Sequence, residues 1–81
     1  MAVGFVLITV SPLKEREAFE KISNIEEIKE IYPLFGEYDI LAKVEADDID
    51  QIGSIVISKI RAVAGVIDTK TLLTSRSLEG T

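Results

Sequence analysis

Length, composition and charge exclude several classes of protein for this chain. Its 81 residues make one domain, because a second hydrophobic core would need a longer chain. The sequence has no Cys and no His, which excludes disulfides, the usual zinc sites, thiol nucleophiles and the ordinary general base. We expect no catalytic residue, metal site or cofactor. It carries 14 Asp and Glu against 9 Lys and Arg, a formal net charge of −5. Direct nucleic-acid binding is not expected, since proteins that neutralise phosphates present a basic face.

The hydrophobic fraction of the chain, 47% of its residues, is high for so small a domain. It predicts that apolar surface continues into a subunit interface, so we expect an oligomer. The apolar residues 3–10 are too few to span a bilayer, and they lack the charged start of a secretory signal. We therefore expect a cytoplasmic protein without membrane contact.

The chain begins with a predicted strand and helix. Residues 3–10 are rich in β-branched side chains and are typical of a strand buried on both faces. Ser11-Pro12 predicts the start of a helix, with Ser11 as its N-cap and Pro12 at the first helical position. The helix should end near residues 23–24. Helical spacing predicts that its buried face consists of Ala18, Phe19 and Ile22.

The next segment predicts a β-hairpin. Residues 26–35 alternate as a strand, with one face formed by Ile28, Tyr32 and Leu34. Pro33 indicates an edge strand or a bulge, because it has no amide hydrogen. Gly36-Glu37 predicts a tight turn in which Gly36 takes a positive φ. Residues 38–46 form the third strand, with Tyr38, Ile40, Ala42 and Val44 on one face and Asp39, Leu41, Lys43 and Glu45 on the other.

The last part predicts a second helix and a fourth strand. Asp47 begins the helix, with Asp50 as its capping-box partner. Apolar residues at intervals of three or four predict the buried face: Ile49, Ile52, Val56, Ile60 and Val63. Gly53 costs about 1 kcal/mol relative to Ala inside a helix, so we expect close approach to a strand or another subunit there. Gly65 ends the helix, and residues 66–75 form the last strand.

The element order βαββαβ predicts an α+β, ferredoxin-like fold, with a four-stranded antiparallel sheet and both helices on one face. Two helices cover only that face, whereas the first strand offers apolar residues to both. A second subunit laid sheet to sheet would cover the other, so we expect a dimeric α/β barrel. The single domain comprises residues 1–81, of which residues 76–81 should form a flexible tail.

Two glycine-led motifs carry a family resemblance. Gly36-Glu37-Tyr38-Asp39 lies between the second and third strands, and the segment 65–71, Gly-Val-Ile-Asp-Thr-Lys-Thr, enters the fourth. In this order they resemble the G-x-Y-D and G-V-x-x-T-x-T patterns of the Lrp/AsnC (feast/famine) effector-binding domain, or RAM domain, over residues 2–75. Typical regulators place a helix-turn-helix domain before this module, whereas this sequence starts at the first strand. It therefore resembles a stand-alone form.

The resemblance implies a small-ligand sensor, with an amino acid as its effector. In that family dimers assemble into higher rings, commonly octamers, and effectors bind in clefts where dimers meet. The resemblance also implies full-length regulators of the family as partners, whose state the chain could alter. Asp39 would accept from an α-ammonium group. The ligand-binding residues that it implies are Gly36, Glu37, Tyr38, Asp39, Thr69 and Thr71.

Each of these residues also has a structural explanation. The turn requires Gly36, Asp39 could hydrogen-bond within the turn or an interface, and Tyr38 could pack at a strand start. The threonines are good strand formers. Helix capping explains the acidic run 47–50 better than calcium binding, because the glycine and distal glutamate of an EF-hand loop are missing.

Two other functions stay open. One is a purely structural oligomerisation module without an effector. The other is a small dimeric ferredoxin-like enzyme, although the chain offers only Asp, Glu, Tyr and Lys for proton transfer, so we expect no enzyme. The ACT domain, another βαββαβ amino-acid binder, is the alternative family. Its glycine-containing turn would follow the first strand, where this chain has Ser11-Pro12.

Overall fold

The structure is a computed structural model that describes residues 1–74. Its elements follow the predicted order: β1 (Ala2–Val10), α1 (Glu15–Ser23), β2 (Ile28–Pro33), β3 (Ile40–Ala46), α2 (Ile49–Ile55) and β4 (Val66–Leu73). A 3-10 turn at Pro12–Lys14 leads into α1, and a π-helical segment at Val56–Ile60 continues α2. The predicted tail, 76–81, and Ser75 lie outside the described residues. Within those residues, no helix is long and apolar enough to cross a membrane.

The strands form one antiparallel sheet in the order β2-β3-β1-β4. The first strand of the chain therefore lies inside the sheet, and β2 and β4 are its edges. Pro33 ends β2 opposite Ile40, which confirms the edge position predicted from its missing amide hydrogen. This strand order with helices on one face is the predicted ferredoxin-like arrangement.

The core lies between the helices and one face of the sheet. Its buried side chains are Val6, Ile8, Val10, Ala18, Ile22, Ile40, Ala42, Val44, Ile52, Ile55, Val56 and Ile60. In β1 every second residue from Gly4 to Val10 is buried on this side, because strand side chains alternate between faces. The helical spacing of the sequence correctly predicted most of the helix contribution, and the edge of this core includes Phe19 and Val63.

Main-chain hydrogen bonds, rather than the predicted side-chain cap, start the first helical segment. Ser11 makes no side-chain cap, and its carbonyl accepts from the Lys14 amide at 2.9 Å, which closes the 3-10 turn. The α-helix itself therefore begins only at Glu15. The Ser11 amide donates to the Gly65 carbonyl at 2.8 Å, so the start of the helix is tied to the start of β4.

The start of α2 differs from the prediction by one residue. Asp48, not Asp47, is the N-cap, and its Oδ1 accepts from the Gln51 amide at 2.8 Å. The Gln51 side chain accepts from the Asp47 amide at 3.2 Å and so takes the reciprocal role predicted for Asp50. Ile49, predicted to be buried, is 55% exposed, because the first turn of α2 lies at the end of the sheet beside the first residues of the chain.

Two glycines also differ from the prediction. Gly65 does not end the helix, because the π segment ends at Ile60 and Gly65 directly precedes β4 with a φ of +99°. A Cβ on Gly65 would lie 2.5 Å from the Lys14 Cβ, so the position excludes a side chain. Gly53 is exposed, and no strand or neighbouring side chain lies within 4 Å of the place its Cβ would take. The approach to a strand predicted for Gly53 is therefore wrong within residues 1–74, whereas the alternative, approach to another subunit, stays a prediction.

The faces of β2 are not those predicted from simple alternation. A register shift lies between Ile28 and Glu30, and an added residue moves all later side chains to the opposite face. Ile28 and Ile31 consequently both pack against the core. Tyr32, predicted on the same face as Ile28, is 49% exposed on the other side of the sheet.

The side of the sheet away from the helices is uncovered in the single chain and is called the open face below. Residues directly opposite one another share it: Val3, Phe5, Leu7 and Thr9 of β1, Glu30 and Tyr32 of β2, Leu41, Lys43 and Glu45 of β3, and Asp68, Lys70 and Leu72 of β4. Its β1 side chains are only partly buried in the single chain, as expected if a second subunit covers this face, so the burial of β1 on both faces stays a prediction. A contiguous exposed apolar surface marks an interaction site.

Candidate functional site

The loop between β2 and β3 contains four of the predicted ligand-binding residues. It spans residues 34–39 and is therefore longer than the tight turn predicted at Gly36-Glu37. Gly36 has a φ of +143°, which confirms the predicted positive φ and explains the glycine. Glu37 is exposed, whereas Tyr38 and Asp39 are half-buried where the loop meets the sheet.

Three hydrogen bonds anchor this loop through Asp39. The Leu34 amide donates to the Asp39 carbonyl at 2.8 Å, and the Asp39 amide donates to the Ile8 carbonyl at 2.9 Å. The Val10 amide donates to Asp39 Oδ2 at 2.9 Å. Val10 lies beyond the last residue of β1 that pairs with β3, so the side-chain oxygen takes the place of a main-chain acceptor. Asp39 therefore has a structural role, but its side chain binds β1 rather than the turn or an interface, which are the partners that the sequence predicts.

Removing the Asp39 carboxylate should destabilise the domain. Asp39→Ala leaves the part-buried Val10 amide without its acceptor, which we expect to cost about 1–2 kcal/mol of unfolding free energy. Asp39→Asn retains an acceptor oxygen and should keep most of that stability. Urea titrations of both variants and the parent measure the difference. Equal losses in both would mean that the charge, rather than the acceptor, holds the loop.

A cleft opens beside Asp39, between the loop and α1. Its volume is about 660 Å³, within the range of small-ligand sites. Arg16 is the one cationic side chain among its lining residues. The cleft is lined by Val10, Phe19, Pro33, Leu34 and Ile40, together with Glu15, Arg16, Glu20 and Asp39. Apolar walls with charges of both signs can hold a small zwitterion.

The sequence prediction missed the α1 side of this cleft. A signal was present, because Arg16 lies three residues before Phe19 and Glu20 four residues after Arg16, so these side chains share a helix face. Phe19 already belonged to the predicted inner face. Residue spacing in the sequence does not predict how α1 is rotated about its axis on the sheet. That rotation decides which side of the inner helix face contacts the loop.

The two predicted threonines lie away from the loop. Thr69 is opposite Ile8, which is paired on its other side with Ile40 at the start of β3. Thr69 is therefore two strands, or roughly 10 Å, from the loop end of β3, and Thr71 lies further along β4. Both point to the helix side of the sheet, and Asp39 alone among the six predicted residues lines the cleft. Within one chain the six do not form a single site.

The open face carries a charged cluster on its β2–β3 half. The Tyr32 hydroxyl donates to Glu30 Oε1 at 2.7 Å, and Lys43 Nζ lies 3.4 Å from Glu30 Oε2 and 3.7 Å from Glu45 Oε2. The Tyr32 hydrogen bond and then the Lys43 charge lower the pKa of Glu30, while the same hydrogen bond raises the pKa of Tyr32. Glu30, Lys43 and Glu45 thus carry two carboxylates against one ammonium.

The sequence of the domain also matches a known family. The family model of the Lrp/AsnC ligand-binding domain matches residues 3–80. The chain belongs to this family. The predicted family is thereby confirmed, and the G-x-Y-D loop of this Lrp/AsnC domain is the loop that Asp39 anchors to β1.

Individual proteins support the assignment. An uncharacterized HTH-type transcriptional regulator of Pyrococcus horikoshii, PH1916, is 40% identical over 73 residues, which are 86% of this chain and 49% of that protein. The Lrp/AsnC domain thus spans about half the length of this curated relative. The crystal structure of TTHA0845 from Thermus thermophilus superposes with a TM-score of 0.88 at 32% identity, covering 94% of this chain and 95% of that chain. The predicted fold is confirmed.

Two further similarities concern different kinds of protein. Homocitrate synthase of Sulfurisphaera tokodaii is 43% identical over 58 residues, which are 72% of this chain but only 12% of the synthase. The transcriptional regulator NMB0573 of Neisseria meningitidis, in a complex with L-Met, has a TM-score of 0.82 at 20% identity, covering 99% of this chain and 53% of that chain. At that identity the likeness shows the fold alone. Segments similar to this domain therefore occur in regulators and in a synthase.

Proposed function

We propose that this Lrp/AsnC domain binds a free amino acid in the cytoplasm, and that ligand binding changes the state of the oligomer that the domain forms. The observation that supports this most is the cleft beside Asp39, where one cation, three carboxylates and apolar walls line a ligand-sized space. Its membership in a ligand-binding family supports the same function. The N. meningitidis regulator, which shares the fold, is in a complex with L-Met, so amino acids are the first ligands to test.

The cleft offers what an amino acid requires. Its carboxylate needs hydrogen-bond donors and its ammonium an acceptor, in a partly desolvated space. The Arg16 guanidinium would bind the carboxylate, and Asp39 would accept from the ammonium through Oδ1, since Oδ2 already accepts from the Val10 amide. Gly36 would let the loop backbone approach the ligand.

The other predicted residues would act across subunits. Glu37 and Tyr38 would offer amides and side chains next to the cleft. Thr69 and Thr71 would supply hydroxyl groups from a neighbouring dimer, because within one chain they lie two strands from the loop. The family resemblance supports this division, since it implies effector clefts where dimers meet.

Assembly would begin at the open face. Phe5, Leu7 and Leu41 lie at its centre and are only partly covered, so a second copy packed sheet to sheet would bury them. Such dimers would assemble further into a ring, an octamer or similar, and could associate with full-length Lrp/AsnC regulators. With a net charge of −5 the domain would not itself contact nucleic acid.

The domain would not be an enzyme, and the similarity to homocitrate synthase covers too little of that synthase to imply its activity. One observation favours a different function. The Val10 amide already occupies one oxygen of Asp39, as expected if the loop only builds the fold. The alternative is therefore a structural oligomerisation module that binds no effector.

A thermal screen separates the two functions. At ten times its dissociation constant, a bound amino acid stabilises the native state by about 1.4 kcal/mol, which raises Tm by roughly 8 °C in a domain of this size. We expect one or a few of the twenty amino acids at millimolar concentration to do so. If none shifts Tm, the structural module is the correct function.

Two variants test the assigned roles. Arg16→Gln removes the cation of the cleft and Asp39→Asn its negative charge, while the latter keeps an acceptor for the Val10 amide. Both should fold as the parent does and lose the amino-acid shift of Tm. Lys21→Gln, on the exposed surface of α1, serves as the control and should keep the shift. A shift retained by both cleft variants would place the ligand elsewhere.

A further inference from the structure

The cleft beside Asp39 carries more negative than positive charge. Its charged lining side chains are Glu15, Arg16, Glu20 and Asp39, which are three carboxylates against one guanidinium. Within residues 1–74, these four side chains make no ion pair with one another or with any other residue. The described part of the chain therefore leaves an excess of two negative charges at the cleft.

A zwitterion bound as proposed above does not remove this excess. Its carboxylate pairs with Arg16 and its ammonium with Asp39, so the carboxylates of Glu15 and Glu20 gain no partner. A bound ligand also displaces part of the water around them, and a carboxylate that loses water without gaining a partner is disfavoured. An aspartate or glutamate ligand would add a further negative charge. A ligand with a cationic side chain lowers the excess from two negative charges to one.

The apolar walls of the cleft fit the stem of such a side chain. Phe19 lies on α1 with the two glutamates, four residues after Glu15 and one before Glu20, and is half-buried against the core. Lysine and arginine carry their charge at the end of a chain of methylene groups, which packs along apolar surface while the charged head stays at the water boundary. Glu15 and Glu20 are exposed, so their carboxylates lie where that head would end.

We propose that the cleft selects amino acids with a cationic side chain, lysine or arginine, and that Glu15 and Glu20 bind the side-chain cation. The inference rests on the proposed function and names the class of ligand. Arg16 and Asp39 hold the α-carboxylate and the α-ammonium, as they would for any amino acid, and the methylene stem packs on Phe19. The two glutamates are therefore the residues that determine specificity.

L-Norleucine is the matched probe for L-lysine, because it keeps the four-carbon stem and lacks the terminal ammonium. Isothermal titration calorimetry should show that lysine or arginine binds about tenfold more tightly than norleucine, and added salt should reduce this ratio. If norleucine or leucine binds as tightly as lysine and arginine, the charge selectivity is overturned and the amino-acid sensor stands. If none of the twenty amino acids binds, both proposals are overturned.

A pair of double variants tests the two glutamates. Glu15→Gln with Glu20→Gln should lower the affinity for lysine or arginine about tenfold and leave that for norleucine within about twofold. Glu17→Gln with Glu26→Gln is the control, since it removes as many exposed carboxylates outside the cleft lining and should keep the preference. Each double variant also removes one acidic residue from the first turn of α1, so their effects on the helix are matched.

Equal losses in the two double variants would overturn the assignment, because the overall negative charge would then attract the ligand. If the variant with both cleft glutamates replaced does not fold, Glu20→Gln alone should lower the affinity for lysine or arginine about threefold. An unchanged affinity in that variant would likewise overturn the role of Glu20.

Discussion

Gly65→Ala is expected to lower the free energy of unfolding by about 3 kcal/mol, which is a large part of the stability of a small domain. Gly65 has a φ of +99°, and a Cβ there would lie 2.5 Å from the Lys14 Cβ. That atom is bound directly to the helix-start backbone, so it cannot swing aside as the end of a long side chain could. Urea unfolding followed by circular dichroism measures the loss.

Two other glycines provide controls of graded effect. Gly36 also has an unfavourable positive φ, +143°, but no atom lies within 4 Å of the place its Cβ would take. Gly36→Ala should therefore show backbone strain without the collision. Gly53→Ala lies in an exposed part of α2 with open space around it and should stabilise the domain by up to about 1 kcal/mol. A loss at Gly65 no larger than that at Gly36 would mean that the contact with Lys14 relaxes freely.

Phe5→Thr is expected to weaken the proposed sheet-to-sheet dimer about a hundredfold or more, the effect of losing an aromatic anchor at the centre of an interface. Phe5 lies on the open face between Lys43 and Leu72 of the neighbouring strands, and in a symmetric dimer both copies lose it. Threonine is a good strand former, so the monomer fold should persist. Sedimentation equilibrium over a range of protein concentrations measures the change.

Leu13→Thr is the matched control for this substitution. Leu13 is 93% exposed on the 3-10 turn that precedes α1, away from the open face. Its replacement removes a comparable apolar side chain and should leave the dimer unchanged. If Leu13→Thr dissociates the oligomer and Phe5→Thr does not, the subunits associate through the helical side and the sheet-to-sheet dimer is wrong.

The fold was predictable because local and global signals in the sequence agree. Alternation in β1 and β3, and helical spacing at Ala18, Ile22 and Ile52, all place their apolar side chains on the single core that the structure shows. The errors arose where neighbouring residues could serve the same role. Asp47 and Asp48 are both competent N-caps, and only the path of the chain into α2 selects Asp48.

The bulge in β2 shows a second limit of sequence patterns. An extra residue between Ile28 and Ile31 reverses the faces of the strand, and no Gly or Asp marks it in the sequence. Similarly, the motif at Gly36 predicted where the loop lies but not what Asp39 binds, because its partner Val10 is 29 positions away in the chain. Arg16 could not be assigned to the cleft because that depends on the orientation of α1 on the sheet.

The position of β1 has a consequence for how the domain folds. This strand comes first in the chain but pairs with two strands that come later, β3 and β4. The hydrogen bond from the Thr74 hydroxyl to the Val3 carbonyl joins residues 71 positions apart. Contacts of such long sequence separation slow folding, because the chain must close a large loop before they form. During synthesis the edge of β1 that pairs with β4 would have no hydrogen-bond partner strand until β4 has been made. The four-stranded sheet is therefore complete only when its last strand has been synthesised.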